Sequence, residues 1–169
     1  MKKGLILREI RESDCELISQ AFQKQGWPKP VSQYQQYLKY QAEGSRDILI
    51  AEIQGEFAGY LTILWTSHYQ PFREKQIPEI VDFNVLKKFQ RQGIGTALMD
   101  EAERRIQSVS KYAGIGFGLY KDYGAAQILY VKRGYVPDGN GIVIDSQPVA
   151  PGSQVRVDDD LVFCLIKEF

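Results

Sequence analysis

Short apolar runs alternate with amphipathic segments along the chain, and glycine or proline stands between most of them. Runs rich in Ile, Leu, Val, Phe and Tyr predict β-strands, because these side chains suit a pleated, half-buried surface. Such strands are expected at residues 5–8, 47–53, 57–67, 79–86, 113–120, 139–146 and 161–169. Only Gln54-Gly55-Glu56 separates the second run from the third, which predicts an antiparallel hairpin.

Apolar residues at three- and four-residue spacing predict the helices. They are expected at residues 13–23, 32–43, 96–110 and 123–133. Ser13 and Glu16 form a capping-box pattern at the start of the first helix, and Gly44 and Gly134 end the second and the fourth. The apolar stripe of the third helix is expected to contain Leu98, Ala102, Ile106 and Val109. Residues 68–78 are expected to form a polar, aromatic loop.

The order of these elements indicates a mixed α+β fold, because strands and helices do not alternate as they do in a doubly wound nucleotide-binding fold. A chain of 169 residues suits a single domain, residues 1–169, around one core. No segment approaches the roughly 20 apolar residues that a membrane span needs. The N-terminus reaches Arg8 and Glu9 too early for a secretory apolar region, so a soluble, cytoplasmic protein is expected.

Composition narrows the classes of partner and of site. The 21 basic and 21 acidic residues cancel, so overall charge attracts neither nucleic acid nor an anionic membrane, and a small, locally charged ligand fits better. Cys15 and Cys164 show no metal-ligand spacing, and the chain has one histidine, His68. No metal site is therefore expected, and the two cysteines are interpreted as buried free thiols.

A glycine-containing turn, Gln90 to Gly95, stands between the fourth predicted strand and the third predicted helix. The first N–H groups of a helix lack intrahelical partners and carry partial positive charge, so such a turn can accept a phosphate. By itself the turn is weak evidence, because a glycine-rich turn from strand to helix forms without any ligand as well.

Two motifs in this order resemble those of the GNAT superfamily of acyl-CoA-dependent N-acyltransferases. The first is a strand followed by Gln/Arg-x-x-Gly-x-Gly/Ala, at residues 81–95. The second is Ala-x-x-Leu-Tyr-x-x-x-Gly-Phe, at residues 126–135, about 30 residues later. The resemblance implies a splayed, mostly antiparallel central sheet of about seven strands flanked by about four helices. It also implies acetyl-CoA as cosubstrate.

The resemblance implies where acetyl-CoA would bind. Its pyrophosphate would rest on the main chain of the turn, whose residues are Gln90, Arg91, Gln92, Gly93, Ile94, Gly95 and Thr96. Its pantetheine arm would bond like an extra strand to the main chain of Phe83, Asn84 and Val85. The nearby basic side chains of Lys87 and Lys88 either meet the phosphates or are simply solvated.

The chemistry of acyl transfer requires an acid for the leaving thiolate and a base for the attacking ammonium. By this resemblance Tyr130 occupies the general-acid position of the second motif, and this role is favoured over that of a packed aromatic residue of an amphipathic helix. Asp82 and Glu79 are the candidate bases, and their separation of three places them on opposite faces of a regular strand. Asp82 is favoured narrowly because it directly precedes the pantetheine segment. Either carboxylate could instead anchor the substrate or be solvated.

Two positions depart from the family's pattern. Tyr123 replaces an Asn that helps to hold the cofactor in many members, and Tyr135 replaces Phe conservatively. Substrate selection is expected around the first two helices, where Trp27 and Tyr34, together with carboxylates of the last loop, could hold a cationic amine. These groups could also face solvent.

The leading hypothesis is an N-acetyltransferase that moves an acetyl group from acetyl-CoA to a primary amine by direct attack. The alternative is a noncatalytic acyl-CoA-binding or sensing domain of the same fold. A mononucleotide-binding enzyme is disfavoured, because the turn lacks the Lys-Ser/Thr of a P-loop and the third glycine of a dinucleotide turn. The partner is expected to be a small-molecule or peptide amine, and an exposed final strand would allow a homodimer through edge pairing.

Overall fold

The computed structural model describes residues 4–169, so Met1 to Lys3 lie outside the described residues. Within that range the strands are β1 Leu5–Glu9, β2 Arg46–Ile53, β3 Glu56–Leu64, β4 Glu79–Val85, β5 Tyr112–Gly118, β6 Val136–Ile144, β7 Gln147–Pro148 and β8 Leu161–Glu168. The helices are α1 Asp14–Lys24, α2 Val31–Ala42, α3 Gln70–Glu74, α4 Ile94–Gln107 and α5 Gly124–Lys132. All seven predicted strands and all four predicted helices are therefore confirmed. The sequence missed the short elements α3 and β7.

The strands form one mostly antiparallel sheet with the order β1-β2-β3-β4-β5-β8-β6-β7, in which β4 and β5 pair in parallel. The final strand β8 lies between β5 and β6, with antiparallel partners on both sides. The prediction of a dimer through an exposed final strand was therefore wrong in its premise, since β8 has no open edge. Among residues 4–169, no helix combines the length and the apolar character needed to cross a membrane.

The chain divides into two compact units, and the first contains residues 4–65 and 81–105. In this unit α1 presents Cys15, Ile18 and Phe22 to the core at helical spacing, where they meet residues of α2, β2 and β3. The predicted capping box is wrong, because the Ser13 side chain makes no cap hydrogen bond. The Asp14 carboxylate instead accepts from the backbone N–H of Arg11, at 2.7 Å.

Helix α4 begins two residues before its predicted start, at Ile94. Leu98, Ala102 and Ile106 are buried as predicted. Val109 was wrongly placed on the same stripe, because α4 ends at Gln107 and the Val109 side chain is 69 % exposed.

The second unit contains residues 66–80 and 106–169. Its core includes Tyr69, Phe72 and Cys164, and both Cys164 and Cys15 are buried free thiols, as predicted. The glycines of β5 were expected to let a backbone or a ligand approach closely. Side chains make that approach instead: a Cβ atom on Gly114 would overlap the Phe72 ring, and one on Gly118 would overlap the ring of Tyr123.

Candidate functional site

The two glycines of the turn have different local roles. Gly93 has φ +81°, a conformation that favours glycine, and a Cβ atom there would meet nothing within 4 Å, so the main chain is open on that side. A Cβ atom on Gly95 would lie 3.1 Å from the Phe83 ring, so the second glycine lets α4 pack against β4. The first turn of α4 contains no acidic residue. The turn therefore fits a phosphate group electrostatically and sterically.

Strand β4 is covered by β3 on one edge. The Leu86 N–H donates to the Ala58 carbonyl of the β3 strand, at 2.9 Å. Because the C=O and the N–H of one trans peptide point in opposite directions, the Val85 carbonyl points away from β3. It accepts a hydrogen bond from the Gln90 side-chain amide, at 3.1 Å. The Val85 carbonyl therefore lies on the edge of β4 that faces away from β3, where a side chain and not a strand bonds to it.

Strand β4 is irregular at Asp82, whose φ is +49°. Left-handed backbone is uncommon inside a strand and increases its bend. Upstream of this point β4 pairs with β5 through Glu79 with Gly114 and Ile80 with Ile115. The strand is not regular between Glu79 and Asp82, so the alternation argument that set these carboxylates on opposite faces does not apply.

The Asp82 carboxylate accepts hydrogen bonds from five side-chain donors. The ammonium of Lys29 is 3.0 Å from Oδ1, and the amide of Asn84 is 2.7 Å from the same oxygen. Oδ2 accepts from the Tyr60 hydroxyl at 2.5 Å, the Tyr37 hydroxyl at 2.8 Å and the Gln33 amide at 2.9 Å. Both oxygens are therefore occupied by donors of the first unit.

The electrostatics of Asp82 oppose a role as base. Burial favours its protonated form, but the charge of Lys29 and the phenol donors outweigh this effect and lower the pKa of Asp82. Burial and the nearby Asp82 charge raise the pKa of Tyr60. The carboxylate consequently stays ionised and the phenol stays a donor, so Asp82 accepts a proton poorly.

The Lys29 ammonium lies among three aromatic rings. It is 5.4 Å from the ring centroid of Phe22, 5.2 Å from that of Trp27 and 5.5 Å from that of Tyr60. It also donates to the Tyr60 hydroxyl, at 3.0 Å. We call the three rings together with the Asp82 carboxylate the ammonium cage. Ring faces attract cations, so the cage is chemically suited to an ammonium group.

Glu79 lies in the second unit and is half-buried. Its Oε2 accepts from the Ser67 hydroxyl at 2.5 Å, and the Ser67 oxygen accepts from the Tyr69 backbone N–H at 3.0 Å. The Glu79 carboxylate therefore accepts from a hydroxyl group.

Tyr130 is also in the second unit, on α5, and only 4 % of its surface is exposed. Its ring centroid lies 6.5 Å from that of Phe117 and 6.1 Å from that of Tyr135. Burial raises the pKa of Tyr130, so its phenol is protonated at neutral pH. It is therefore in the form that a proton donor requires, and its contacts also suit a packing role.

A family model described as the acetyltransferase (GNAT) family matches residues 9–135. The chain belongs to this family. Its fold is similar to that of an N-acetyltransferase from Staphylococcus aureus Mu50, with 12 % identity, a TM-score of 0.73, and 98 % and 99 % of the two chains covered. No curated protein sequence matches the chain.

Two further solved structures have a similar fold. One is the ribosomal-protein-alanine N-acetyltransferase of Brucella melitensis, with 16 % identity, a TM-score of 0.69, and coverage of 97 % of this chain and 99 % of that chain. The other is yncA of Salmonella typhimurium, solved with its cofactor acetyl-CoA, with 16 % identity, a TM-score of 0.68, and coverage of 98 % and 94 %. Sequence identities of 12 % and 16 % together with these TM-scores show that the folds are similar.

The departure from the GNAT pattern at Tyr123 has a clear local structure. The Tyr123 hydroxyl donates to Asp159, at 3.0 Å, and Tyr120 donates to the same carboxylate oxygen. The Tyr123 ring also packs over Gly118. The Tyr123 phenol therefore links the last loop to the start of α5. Asp159 belongs to the last-loop carboxylates that could hold a cationic amine, and it already accepts hydrogen bonds from two phenols.

The structure separates the two candidate substrate residues. Trp27 is 49 % exposed and forms one wall of the ammonium cage, whereas Tyr34 is fully buried, with its ring edge against Tyr60 at 5.7 Å. A substrate contact by Tyr34 stays a prediction without support from its position. Sequence reasoning missed Lys29 and Tyr60. The aromatic residues around Trp27 were the one signal that pointed to this region.

Proposed function

We propose that this protein is an N-acetyltransferase that moves an acetyl group from acetyl-CoA to a primary amine by direct nucleophilic attack. The observation that carries the proposal is the junction of β4 with α4, where an irregular strand leads through a Gly93 turn into a helix whose first turn contains no acidic residue. This junction suits an elongated ligand that has a phosphate at one end and amide groups along its length.

The chain's own residues suggest how acetyl-CoA would be held. The main chain of Arg91 to Thr96 would bind the pyrophosphate, because the first N–H groups of a helix have no intrahelical acceptors. An amide N–H of the pantetheine arm would take the Val85 carbonyl from the Gln90 side chain. When bound, the thioester supplies an activated acetyl group and a thiolate leaving group.

Acid and base assignments follow from protonation state. We assign the acid to Tyr130, because the resemblance places it at the general-acid position and its phenol carries a proton at neutral pH. We assign the base to Glu79, because Asp82 is held ionised by Lys29 and saturated with donors. Asp82 then acts as an anchor, which reverses the narrow preference drawn from the sequence.

The alternative function is a noncatalytic acyl-CoA-binding or sensing domain. Tyr123 favours it, because a phenol bonded to Asp159 stands where many GNAT members place an amide that holds the cofactor. A single domain, a cytoplasmic location and a homodimer stay predictions. The acceptor is proposed to be a small-molecule or peptide amine.

The experiment is calorimetric titration with acetyl-CoA and CoA, with ATP and NADH as comparisons, followed by thiol release with a panel of amines. We expect micromolar binding of acetyl-CoA, about −8 kcal/mol, and none of ATP or NADH. Tyr130→Phe should retain binding and lose turnover, whereas the matched control Tyr112→Phe should retain both. Binding without any turnover in the wild-type protein would favour the noncatalytic alternative, and no CoA binding by folded protein would refute the proposal.

A further inference from the structure

The ammonium cage is complete but is filled by the protein's own side chain. Lys29 supplies the ammonium, and this group bonds to Asp82 and Tyr60 while it contacts three rings. The Lys29 side chain is 13 % exposed and the Asp82 side chain 21 % exposed, so the pair is largely removed from water. The carboxylate, the hydroxyl and the rings are chemically suited to another primary ammonium as well.

Lys29, whose ammonium fills the cage, belongs to the segment that connects α1 with α2 and not to a helix or strand. Lys29 lies between the end of α1 at Lys24 and the start of α2 at Val31, in a segment that contains Pro28 and Pro30. Its backbone carbonyl accepts from the Ser19 hydroxyl, at 2.6 Å. This bond holds the backbone of the connection, so departure of the Lys29 side chain from the cage requires changes in its own χ angles only.

One ring of the cage is exposed to solvent, and the cage carboxylate adjoins the proposed cofactor strand. Trp27, its wall on the same connection, is half-exposed, and Asp82, its carboxylate, directly precedes the Phe83–Val85 main chain. A ligand that entered past Trp27 would place its ammonium next to that strand.

We infer that the ammonium cage is a binding site for a protonated amino group of the acceptor substrate, and that this group takes the place of Lys29. The inference rests on the proposed function and narrows its substrate class. Exchange of one ammonium for another preserves the bonds to Asp82 and Tyr60 and the contacts with the rings. Displacement therefore leaves no buried charge unpaired. An unpaired buried charge would make the displacement unfavourable.

The cage selects substrates with two amino groups. Acyl transfer requires a neutral amine, whereas an ammonium bonded to an ionised carboxylate is favoured in its charged form. The amino group in the cage is consequently an anchor, and a different amino group of the same molecule must attack the thioester. The substrate class is a diamine, a polyamine or another compound with two separated primary amines.

The first test removes the lysine side chain that fills the cage. Lys29→Ala removes three side-chain carbons and the ammonium, and n-propylammonium supplies the same atoms as a separate molecule. Calorimetry at constant ionic strength compares its binding to the wild type, to Lys29→Ala and to the matched control Lys75→Ala, which removes an exposed lysine. We expect about tenfold or more tighter binding to Lys29→Ala alone, because apparent affinity falls with the fraction of vacant sites. Addition of Asp82→Asn to that variant should abolish the gain.

Equal binding to Lys29→Ala and Lys75→Ala would overturn the inference, and so would a gain that survives Asp82→Asn. If Lys29→Ala is unfolded by itself, n-propylammonium must restore its thermal transition relative to equimolar NaCl. A variant that stays unfolded at every probe concentration would show that the lysine stem, and not an exchangeable ammonium, holds this region together.

The second test uses turnover by the wild type. Diaminoalkanes of increasing length should show a lower KM than monoamines of equal length, and Asp82→Asn should remove that difference by raising KM for the diamines. No preference for diamines would overturn the substrate class. The first test needs neither acetyl-CoA nor turnover, so its failure is distinguishable from failure of acetyl-CoA binding.

Discussion

The Lys29–Asp82 pair should contribute strongly to stability, and a double-mutant cycle measures this contribution. The cycle consists of Lys29→Met, Asp82→Asn and the double variant, which replace the charged groups with neutral groups of similar size. A matched cycle uses Lys88→Met and Glu56→Gln, an ion pair on the surface of the same unit. The two cycles differ chiefly in how far each pair is removed from water.

The structure sets the expected magnitudes. The side chains of Lys29 and Asp82 are 13 % and 21 % exposed, whereas Lys88 and Glu56 are each 56 % exposed. Loss of one partner of a buried pair costs about 3–5 kcal/mol, because the remaining charge is left uncompensated. Asp82 keeps four neutral donors without Lys29, so we expect about 2–3 kcal/mol of coupling. The surface pair should couple by about 0.5 kcal/mol or less.

Urea unfolding of all variants gives the free energies, and an unchanged m-value confirms that the transitions are comparable. Each kcal/mol should shift Tm by about 2–4 °C for a chain of this size. Equal coupling in the two cycles would refute the reasoning, since burial would then have no measurable effect on the Lys29–Asp82 interaction.

Two further predictions concern pH and the turn. The pKa of Asp82 is lower in the folded protein than in the unfolded chain, so its contribution to stability is present above about pH 4 and is lost as pH falls through the folded-state pKa. The stability difference between wild type and Asp82→Asn should therefore shrink in acid, and a constant difference from pH 7 to pH 2.5 would contradict this. Gly93→Ala and its control Gly139→Ala, both at positive φ in open space, should each lose about 1–2 kcal/mol. Only Gly93→Ala should weaken acetyl-CoA binding in calorimetry, and equal affinities would contradict the role of the turn.

The fold was largely predictable because its long elements carry their own periodicity. Strands β2 and β3 follow from apolar runs joined by a short turn, and α2 was placed within one residue of its observed bounds. Helix α3 has five residues and a proline at its start, which is too short for a period of 3.6 to show. Strand β7 has two residues, and its pairing with β6 determines it.

The candidate site has one part formed by consecutive residues and one part formed by residues far apart in the sequence. The Gly93 turn was predictable, because strand, turn and helix are consecutive in the chain. The cage was not, because it joins Phe22, Trp27, Tyr60 and Asp82 from four separate segments. The positive φ of Asp82 was also hidden, although aspartate tolerates the left-handed region better than most residues.

The bend at Asp82 and the ammonium cage depend on the same bonds, which gives the proposed acceptor and cofactor sites a physical connection. Left-handed backbone at a non-glycine residue costs free energy, and the donors on the Asp82 carboxylate offset that cost. The next residues, Phe83 to Val85, are those proposed to bond the pantetheine arm. If both proposals hold, an ammonium that replaced Lys29 without disturbing Asp82 would leave this strand in place for acetyl-CoA, whereas a ligand that failed to pair with Asp82 would destabilise the bend. By reciprocity, any effect of the acceptor on the affinity for acetyl-CoA must equal the effect of acetyl-CoA on the affinity for the acceptor.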